Sequence, residues 1–318
     1  LGWLATHCSD RPIGFDVVFP SKAPHKFESM TASEIAAMIP KTHFEFVDEL
    51  LRAHGIKPAT PAERETLIAD YVGDRLRTHA QSERRLELAY RYPNVKLVVS
   101  ALGVPPRHQI ERAHELGMKV GALVGHPKHV SRHVEAGVDL LIAAGYEAGG
   151  HTGDIAGMVL TPQVVELAGS VPVLHAGGIA RGAQIAAALA LGAQAVWTGS
   201  IWLGTSESET TPAIKDIIFA ATSGDTVRSR ARSGKPVRHV RHGFVSAWES
   251  EEAPAPLPTP LQGVLVDELV QKADRTQTAH LLSPPAGQGV GMMTGESSVR
   301  TVMYLSLIHI SEPTRLWH

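Results

Sequence analysis

One histidine stands in a segment with few other reactive side chains. The segment is GYEAGGHTG, residues 145–153, and its imidazole belongs to His151. It follows the apolar run DLLIAAG, which has the length and composition of a buried strand. Glycines let the backbone approach a flat ring or a phosphate closely, and an imidazole titrates near neutral pH and suits proton transfer. The pattern predicts a ligand lying on bare backbone with His151 beside it.

Two other segments have the same glycine-rich character. AGGIARG, residues 176–182, follows the strand-like run VPVLHAG, and TGS, residues 198–200, ends the run AVWTG. Backbone N–H groups at the start of a helix favour an anion. In barrels of alternating strands and helices, the segments at the carboxyl ends of the strands build the active site. We therefore expect the three segments to form one site.

Seven strand-like runs would position these segments. They cover residues 1–5, 13–19, 95–101, 119–125, 139–145, 171–177 and 195–199. Helix-like stretches over 107–116, 127–136 and 182–191 separate the later runs, and each is followed by glycine. Apolar strands alternating with helices predict an α/β fold, the (β/α)8 TIM barrel. Seven strands leave an open barrel, so we expect a first strand ahead of Leu1.

The rest of the chain divides by composition. Residues 1–245 carry the incomplete barrel, with a polar, helix-favouring insertion over about 21–92 that serves as a lid or in oligomer contacts. Residues 246–304 contain the proline-rich connector EEAPAPLPTPLQ and a C-terminal segment expected to pack on the barrel. Residues 305–318 are predicted to be non-native, because LSLIHISEPTR resembles a translated sequencing-library adapter.

Bulk composition narrows the classes of partner. The chain has 318 residues, with 30 Lys and Arg against 32 acidic residues, so no nucleic acid or membrane partner is expected. The single cysteine, Cys8, excludes an internal disulfide and favours a reducing compartment, which we take as the cytoplasm. His126, His129 and His133 have a spacing that can bind metal, but no acidic residue or cysteine completes a ligand set, and no metal is predicted.

The glycine-rich segments together carry a family resemblance. GYEAGGHTG, followed by PVLHAGGIARGAQIAAALALGAQAVWTGSIWLGTSES, resembles the nitronate monooxygenase family, also called 2-nitropropane dioxygenase-like, whose members are FMN-dependent TIM barrels. The similarity is close over residues 95–208 and weaker in RSRARSGKPVR (228–238) and AGQGVG (286–291).

The resemblance implies a function and a set of site residues. The function is oxidation of alkyl nitronates by O2 to a carbonyl compound and nitrite, with FMN as cofactor and a homo-oligomer possible. His151 would be the catalytic base or orient the substrate, and Gly149 and Gly150 would lie against the flavin. The residues that would hold the flavin phosphate are Ala176, Gly177, Gly178, Gly199 and Ser200.

Departures from the family pattern leave other functions open. Many relatives have glutamine at the position of Ala144, alanine at that of His175 and threonine at that of Ser200. The lost glutamine removes a possible contact to flavin or substrate. One alternative is an enoyl-ACP reductase-like enzyme that uses FMN and NAD(P)H. Another is a non-catalytic barrel that acts as an interaction module through its helical insertion.

Overall fold

The computed structural model describes residues 1–8, 11–20 and 25–304. The predicted non-native tail, 305–318, lies outside the described residues. Nine strands are present in the described ranges: β1 (Ile13–Val17), β2 (Val95–Ser100), β3 (Lys119–Val124), β4 (Leu140–Ala144), β5 (Gly150–His151), β6 (Val173–Ala176), β7 (Ala195–Trp197), β8 (Thr226–Ser229) and β9 (Val237–Val240).

Six of these strands form one parallel sheet in the order β1-β2-β3-β4-β6-β7. Each strand pairs in parallel with the next one in this order, and helices connect most of them. Where β4 pairs with β6, Ala144 at the end of β4 lies opposite Ala176 at the end of β6. This curled sheet with its helices is a partial (β/α)8 barrel, as the sequence predicts.

Twelve α-helices accompany the strands within the described residues. They are α1 (Gly2–His7), α2 (Ala32–Ala37), α3 (Lys41–Ala53), α4 (Pro61–Asp70), α5 (His79–Ala89), α6 (Arg107–Glu115), α7 (Val130–Ala136), α8 (Gly157–Ala168), α9 (Gly182–Ala190), α10 (Pro212–Ala220), α11 (Gly243–Ala247) and α12 (Leu261–Thr276). Gly137 ends α7 in the left-handed conformation, with φ of 92°. Side chains with a Cβ rarely adopt this conformation, so the glycine that follows a helix is a reliable stop signal.

The prediction of a strand over residues 1–5 is wrong. Gly2–His7 is a helix, in which the N–H of Cys8 donates to the carbonyl of Leu4 at 2.8 Å. A five-residue apolar run does not distinguish a strand from a helical turn, because it is too short to show a period. The described parallel sheet therefore has six strands instead of the predicted seven. The strand expected ahead of Leu1 stays a prediction.

A second, antiparallel sheet was not predicted from the sequence. Its order is β5-β9-β8, and within it His151 lies opposite Val237 and Gly150 opposite Arg238. The segment GYEAGGHTG thus contains a two-residue strand. This pairing holds the backbone of His151 against a hairpin more than 80 residues away.

Two large apolar clusters and a smaller third one are present among the described residues. One is the barrel core, where Val98, Val120 and Leu141 of the sheet pack with Leu160 and Val164 of α8. The other joins the helices of the predicted insertion to α12. Its members include Ile35, Leu51, Ile68, Leu265 and Leu269. Within the described ranges, no helix combines the length and apolarity needed to cross a bilayer.

Candidate active site

A cavity of about 380 Å³ lies at the carboxyl ends of the parallel strands. All eight residues predicted for the site line it: Gly149, Gly150, His151, Ala176, Gly177, Gly178, Gly199 and Ser200. The ends of β4, β6 and β7 meet here because the three strands are neighbours in one parallel sheet. The structure thus brings together residues from Gly149 to Ser200, which lie in three separate segments of the chain.

The turn after β6 brings backbone directly to the cavity wall. Gly177 and Gly178 have φ of 109° and 70°, which disfavour any residue with a Cβ. A Cβ on Gly177 would also lie 3.1 Å from the backbone nitrogen of Ala148, closer than ordinary packing allows. The two glycines are required by the conformation of this turn and by its close approach to the neighbouring loop.

Several backbone donors at this wall have no hydrogen-bond partner among the described residues. The side chain of Gln184 in α9 accepts from the N–H groups of Ala180 and Arg181, at 2.7 and 2.9 Å, and donates to the carbonyl of Gly178. In the described part of the chain, no acceptor faces the N–H groups of Gly178, Ile179 and Gly199. Unpaired N–H groups beside a helix start are suited to bind an anion.

A loop near the C-terminus closes one side of the cavity. The N–H of Gly287 donates to Oγ of Ser200 at 2.8 Å, and a Cβ on Gly149 would lie 2.7 Å from the same nitrogen. Position 149 therefore requires glycine partly because this loop leaves no room for a side chain there. Gly287 and Gly289 line the cavity but were not predicted as site residues. The only sequence signal for them is the run AGQGVG.

His151 is the one titratable side chain among the described residues that line this cavity. Its Nε2 lies 2.9 Å from Oγ of Ser233, a partner that sequence reasoning missed. Desolvation by the surrounding protein, followed by the positive charge of Lys235, lowers the pKa of His151 to about 4, although the ring is accessible from the cavity. The lowered pKa favours the neutral imidazole at pH 7, in which one ring nitrogen carries no proton.

His175 stands where many relatives have alanine, and both of its ring nitrogens form hydrogen bonds within the protein. Its Nε2 lies 3.1 Å from the carbonyl oxygen of Gly177 and its Nδ1 lies 2.7 Å from Oγ1 of Thr161. Because a carbonyl can only accept, Nε2 carries the proton and Nδ1 accepts from the threonine hydroxyl. Glu147 likewise accepts from the N–H of Gly157, with both oxygens at 3.0 Å. These side chains brace the glycine turn.

Comparison with known proteins places the chain in a family. The sequence model of the family named nitronate monooxygenase matches residues 6–306. A putative monooxygenase of Mycobacterium tuberculosis is 42% identical over 95% of this chain and 81% of that protein. A probable nitronate monooxygenase of Bacillus subtilis is 32% identical, and the match covers 69% of this chain and 65% of that protein.

Solved structures agree with this assignment. The nitroalkane oxidase of Streptomyces ansochromogenes has a TM-score of 0.76 and 27% identity, covering 96% of this chain and 82% of that protein. FabK of Thermotoga maritima has a TM-score of 0.63 and 29% identity, covering 73% of each chain. The family match spans nearly all of the chain. The chain belongs to the nitronate monooxygenase family of oxidoreductases.

Proposed function

We propose that this protein binds FMN in the glycine-lined cavity and uses it to oxidise alkyl nitronates with O2 to a carbonyl compound and nitrite. The observation that supports this best is the placement of neutral His151 in a cavity whose other described lining residues are non-titratable. The family match and the similarity to a nitroalkane oxidase point to the same reaction class.

The cavity wall fits the two ends of FMN. The unpaired N–H groups of Gly178, Ile179 and Gly199 would hold a phosphate. Gly150 has open space where a side chain would stand, which leaves room for a flat ring beside His151. When bound, the flavin supplies the redox chemistry, taking electrons from the substrate and passing them to O2. Ser200 would add its hydroxyl proton, since Oγ already accepts from Gly287.

His151 would handle the proton and the orientation of the substrate. The lowered pKa keeps its imidazole neutral at pH 7, so it can hydrogen-bond to an oxygen of the nitronate, or take the proton from the carbon of the parent nitroalkane to form the nitronate. The hydrogen bond between Nε2 and Ser233, together with the pairing of β5 on β9, limits the orientations that the ring can adopt.

Reconstitution tests the proposal directly. The full chain, mixed with FMN and freed of excess cofactor, should be yellow, should bleach on reduction and should release nitrite from ethyl nitronate in air but not under argon. The dissociation constant for FMN, measured by the change in flavin fluorescence, gives a readout that is independent of turnover. Protein that stays colourless after reconstitution would contradict the proposal.

The similarity to FabK makes a reductase the second candidate. The sequence alternative of an FMN- and NAD(P)H-dependent enoyl-ACP reductase-like enzyme draws support from two FabK structures with TM-scores of 0.61 and 0.63. The two functions separate under anaerobic stopped-flow conditions. Rapid flavin reduction by NAD(P)H, coupled to consumption of an enoyl thioester, would favour the reductase over the nitronate oxidase.

A further inference from the structure

A second cavity, of about 310 Å³, lies on the other side of His151. His151 lines both cavities, together with Ser233 and Lys235 in the second one. The remaining walls come from the π-helical turn Tyr71–Arg75 and the two residues after it, from Arg232, from α12 with the two residues before it, and from Pro20 and Leu102. Apart from His151, the three glycine-rich segments contribute no residue to these walls, whereas Arg232, Ser233 and Lys235 belong to the segment 228–238 with weaker family similarity.

The second cavity carries an excess of positive charge. Its described lining contains four cationic side chains and one carboxylate: Arg75, Arg77, Arg232, Lys235 and Asp267. Arg75 pairs with Asp267, with Nη1 at 2.8 Å from Oδ2. Among the described residues, the charged ends of Arg77, Arg232 and Lys235 have no salt-bridge or hydrogen-bond partner. Three positive charges around this cavity are therefore uncompensated by ion pairing.

Among these three cationic side chains, Arg232 gives the strongest indication of an anion site. It is partly buried, and desolvation lowers the pKa of its guanidinium. Asp274 and Asp267 attract it from beyond ion-pair distance and do not pair with it directly. A partly buried cation without a partner is costly, and a guanidinium presents donors in a fork that matches the oxygens of a phosphate or a carboxylate.

We propose that this second cavity binds a phosphoryl group carried by the organic substrate whose nitronate end reaches His151. The inference rests on the proposed function for its second half, the approach of the substrate to His151. Three uncompensated cations match a phosphate dianion better than the single charge of a carboxylate, and two of the cations are arginines, which bind phosphate oxygens through paired N–H donors.

Direct binding tests the charge site without any turnover. The full chain, saturated with FMN so that its other anion site is filled, is titrated calorimetrically with n-butyl phosphate and with n-butyrate. We expect the phosphate ester to bind at least tenfold more tightly than the carboxylate. Arg232→Gln should weaken n-butyl phosphate at least tenfold, and Arg232→Lys should weaken it less. Arg91→Gln, an exposed arginine away from the cavity, should leave it unchanged.

Specific outcomes would overturn the proposal. Equal binding of n-butyl phosphate by the Arg232→Gln and Arg91→Gln proteins would remove Arg232 from the site. Binding of n-butyrate as tight as that of the ester would show a carboxylate subsite and refute the phosphoryl assignment. If Arg232→Gln lowers the melting temperature sharply, Lys235→Gln replaces it, with an expected weakening of at least threefold; no weakening would refute the proposal.

A kinetic comparison connects the charge site to the reaction. The nitronate of 4-nitrobutyl phosphate should have a KM at least tenfold below that of 1-nitrobutane, and Arg232→Gln should remove most of this difference. If neither nitronate is turned over while n-butyl phosphate still binds through Arg232, the proposed function fails and the phosphoryl site stands. If both are turned over with equal KM, the phosphoryl site fails and the proposed function stands.

Discussion

The two cavities that share His151 are lined by different kinds of segment. The first, of about 380 Å³, is formed mainly by segments that end three neighbouring parallel strands, and it presents backbone to its interior. The second, of about 310 Å³, is lined by residues from six separate parts of the chain, and it presents charged side chains. One wall offers N–H groups whose positions follow from strand geometry, and the other offers guanidinium groups whose positions follow from packing.

The difference shows which interactions each cavity depends on. The first cavity depends on backbone conformation and on the absence of side chains. The second depends on how α12 packs against α3 and α4, where Arg64 contacts both Asp48 and Glu268, at 2.6 and 3.1 Å. Substitutions should therefore act by strain or crowding in the first cavity and by charge in the second.

Replacing His151 should have the largest effect, because it belongs to both cavities. His151→Ala should lower the rate of nitrite release from neutral nitroethane, whose carbon proton must be removed, by about 10²- to 10⁴-fold. His108→Ala is the matched control, since His108 is exposed on α6 and pairs with Glu83 at 3.1 Å. Unchanged nitrite release by the His151 variant would contradict a catalytic role and favour the non-catalytic interaction module.

Arg238 tests the link between the glycine-rich segment and the hairpin. Its side chain is 1% exposed and donates to the carbonyl of Tyr146 from Nε and Nη2, at 3.1 and 3.0 Å. Arg238→Met should lower the free energy of unfolding by about 2–3 kcal/mol, because the carbonyl loses two charge-assisted bonds. In urea denaturation, Arg241→Met, which removes an exposed pair with Glu249, should cost less than about 1 kcal/mol.

A pair of glycine substitutions separates strain from crowding in the first cavity. Gly177→Ala should lower the free energy of unfolding by about 1–3 kcal/mol, since alanine disfavours φ of 109°. Gly199→Ala should change stability by less than about 0.5 kcal/mol, because φ is −126° and its Cβ would stand in open space. The same Cβ would occupy cofactor space, so FMN should bind more weakly. Thermal unfolding and flavin titration measure the two effects; a destabilised Gly199→Ala protein with normal FMN affinity would contradict this division.

The pH dependence of stability should report on the hairpin side of the site. His239 in β9 is fully buried, and desolvation lowers its pKa from an ordinary value of 6.5 to about 4. Below pH 6.5 the His239 imidazole is protonated in the unfolded chain, whereas in the folded chain it becomes protonated only near pH 4. The free energy of unfolding therefore decreases as the pH falls through this window. Between pH 7 and 5 the loss from this group should be about 1–2 kcal/mol.

His239→Gln should flatten that dependence. Denaturation at pH 7 and at pH 5 gives the difference for each protein, so any constant cost of the substitution cancels. His108→Gln, on an exposed side chain, should keep the wild-type dependence. An equal loss of stability in the His239 and His108 variants would show that His239 is not held neutral by burial.

The first cavity could be predicted because its parts follow local rules. A buried strand, a glycine turn and a helix start are each recognisable within about ten residues, and parallel pairing then places their ends together. Ala144 and Ala176 lie opposite each other at this edge, as neighbouring strand ends must. The roles assigned to the eight predicted residues stay predictions, but their common location is a structural fact.

Other features could not be predicted from the sequence, for physical reasons. Residues 1–5 form an apolar run that is too short to show a period, and this segment is helical although the sequence predicts a strand. Ser233 reaches His151 only because β9 pairs with β5, and two-residue strands leave no alternation to detect. Gly287 reaches Ser200 across 87 positions. Such contacts depend on which surfaces pack together, and no local pattern encodes them.

The amino-acid sequence by itself determined the barrel of alternating strands and helices, the glycine turns, and the presence of one histidine among them. These features depend on conformational preferences and apolar periodicity within short segments, which act wherever the segment lies. Only the tertiary structure decided that His151 is neutral, that it contacts Ser233, and that three unpaired cations stand beyond it. Desolvation and charge proximity depend on distances between residues far apart in the chain, and these distances exist only once the helices and the hairpin have packed.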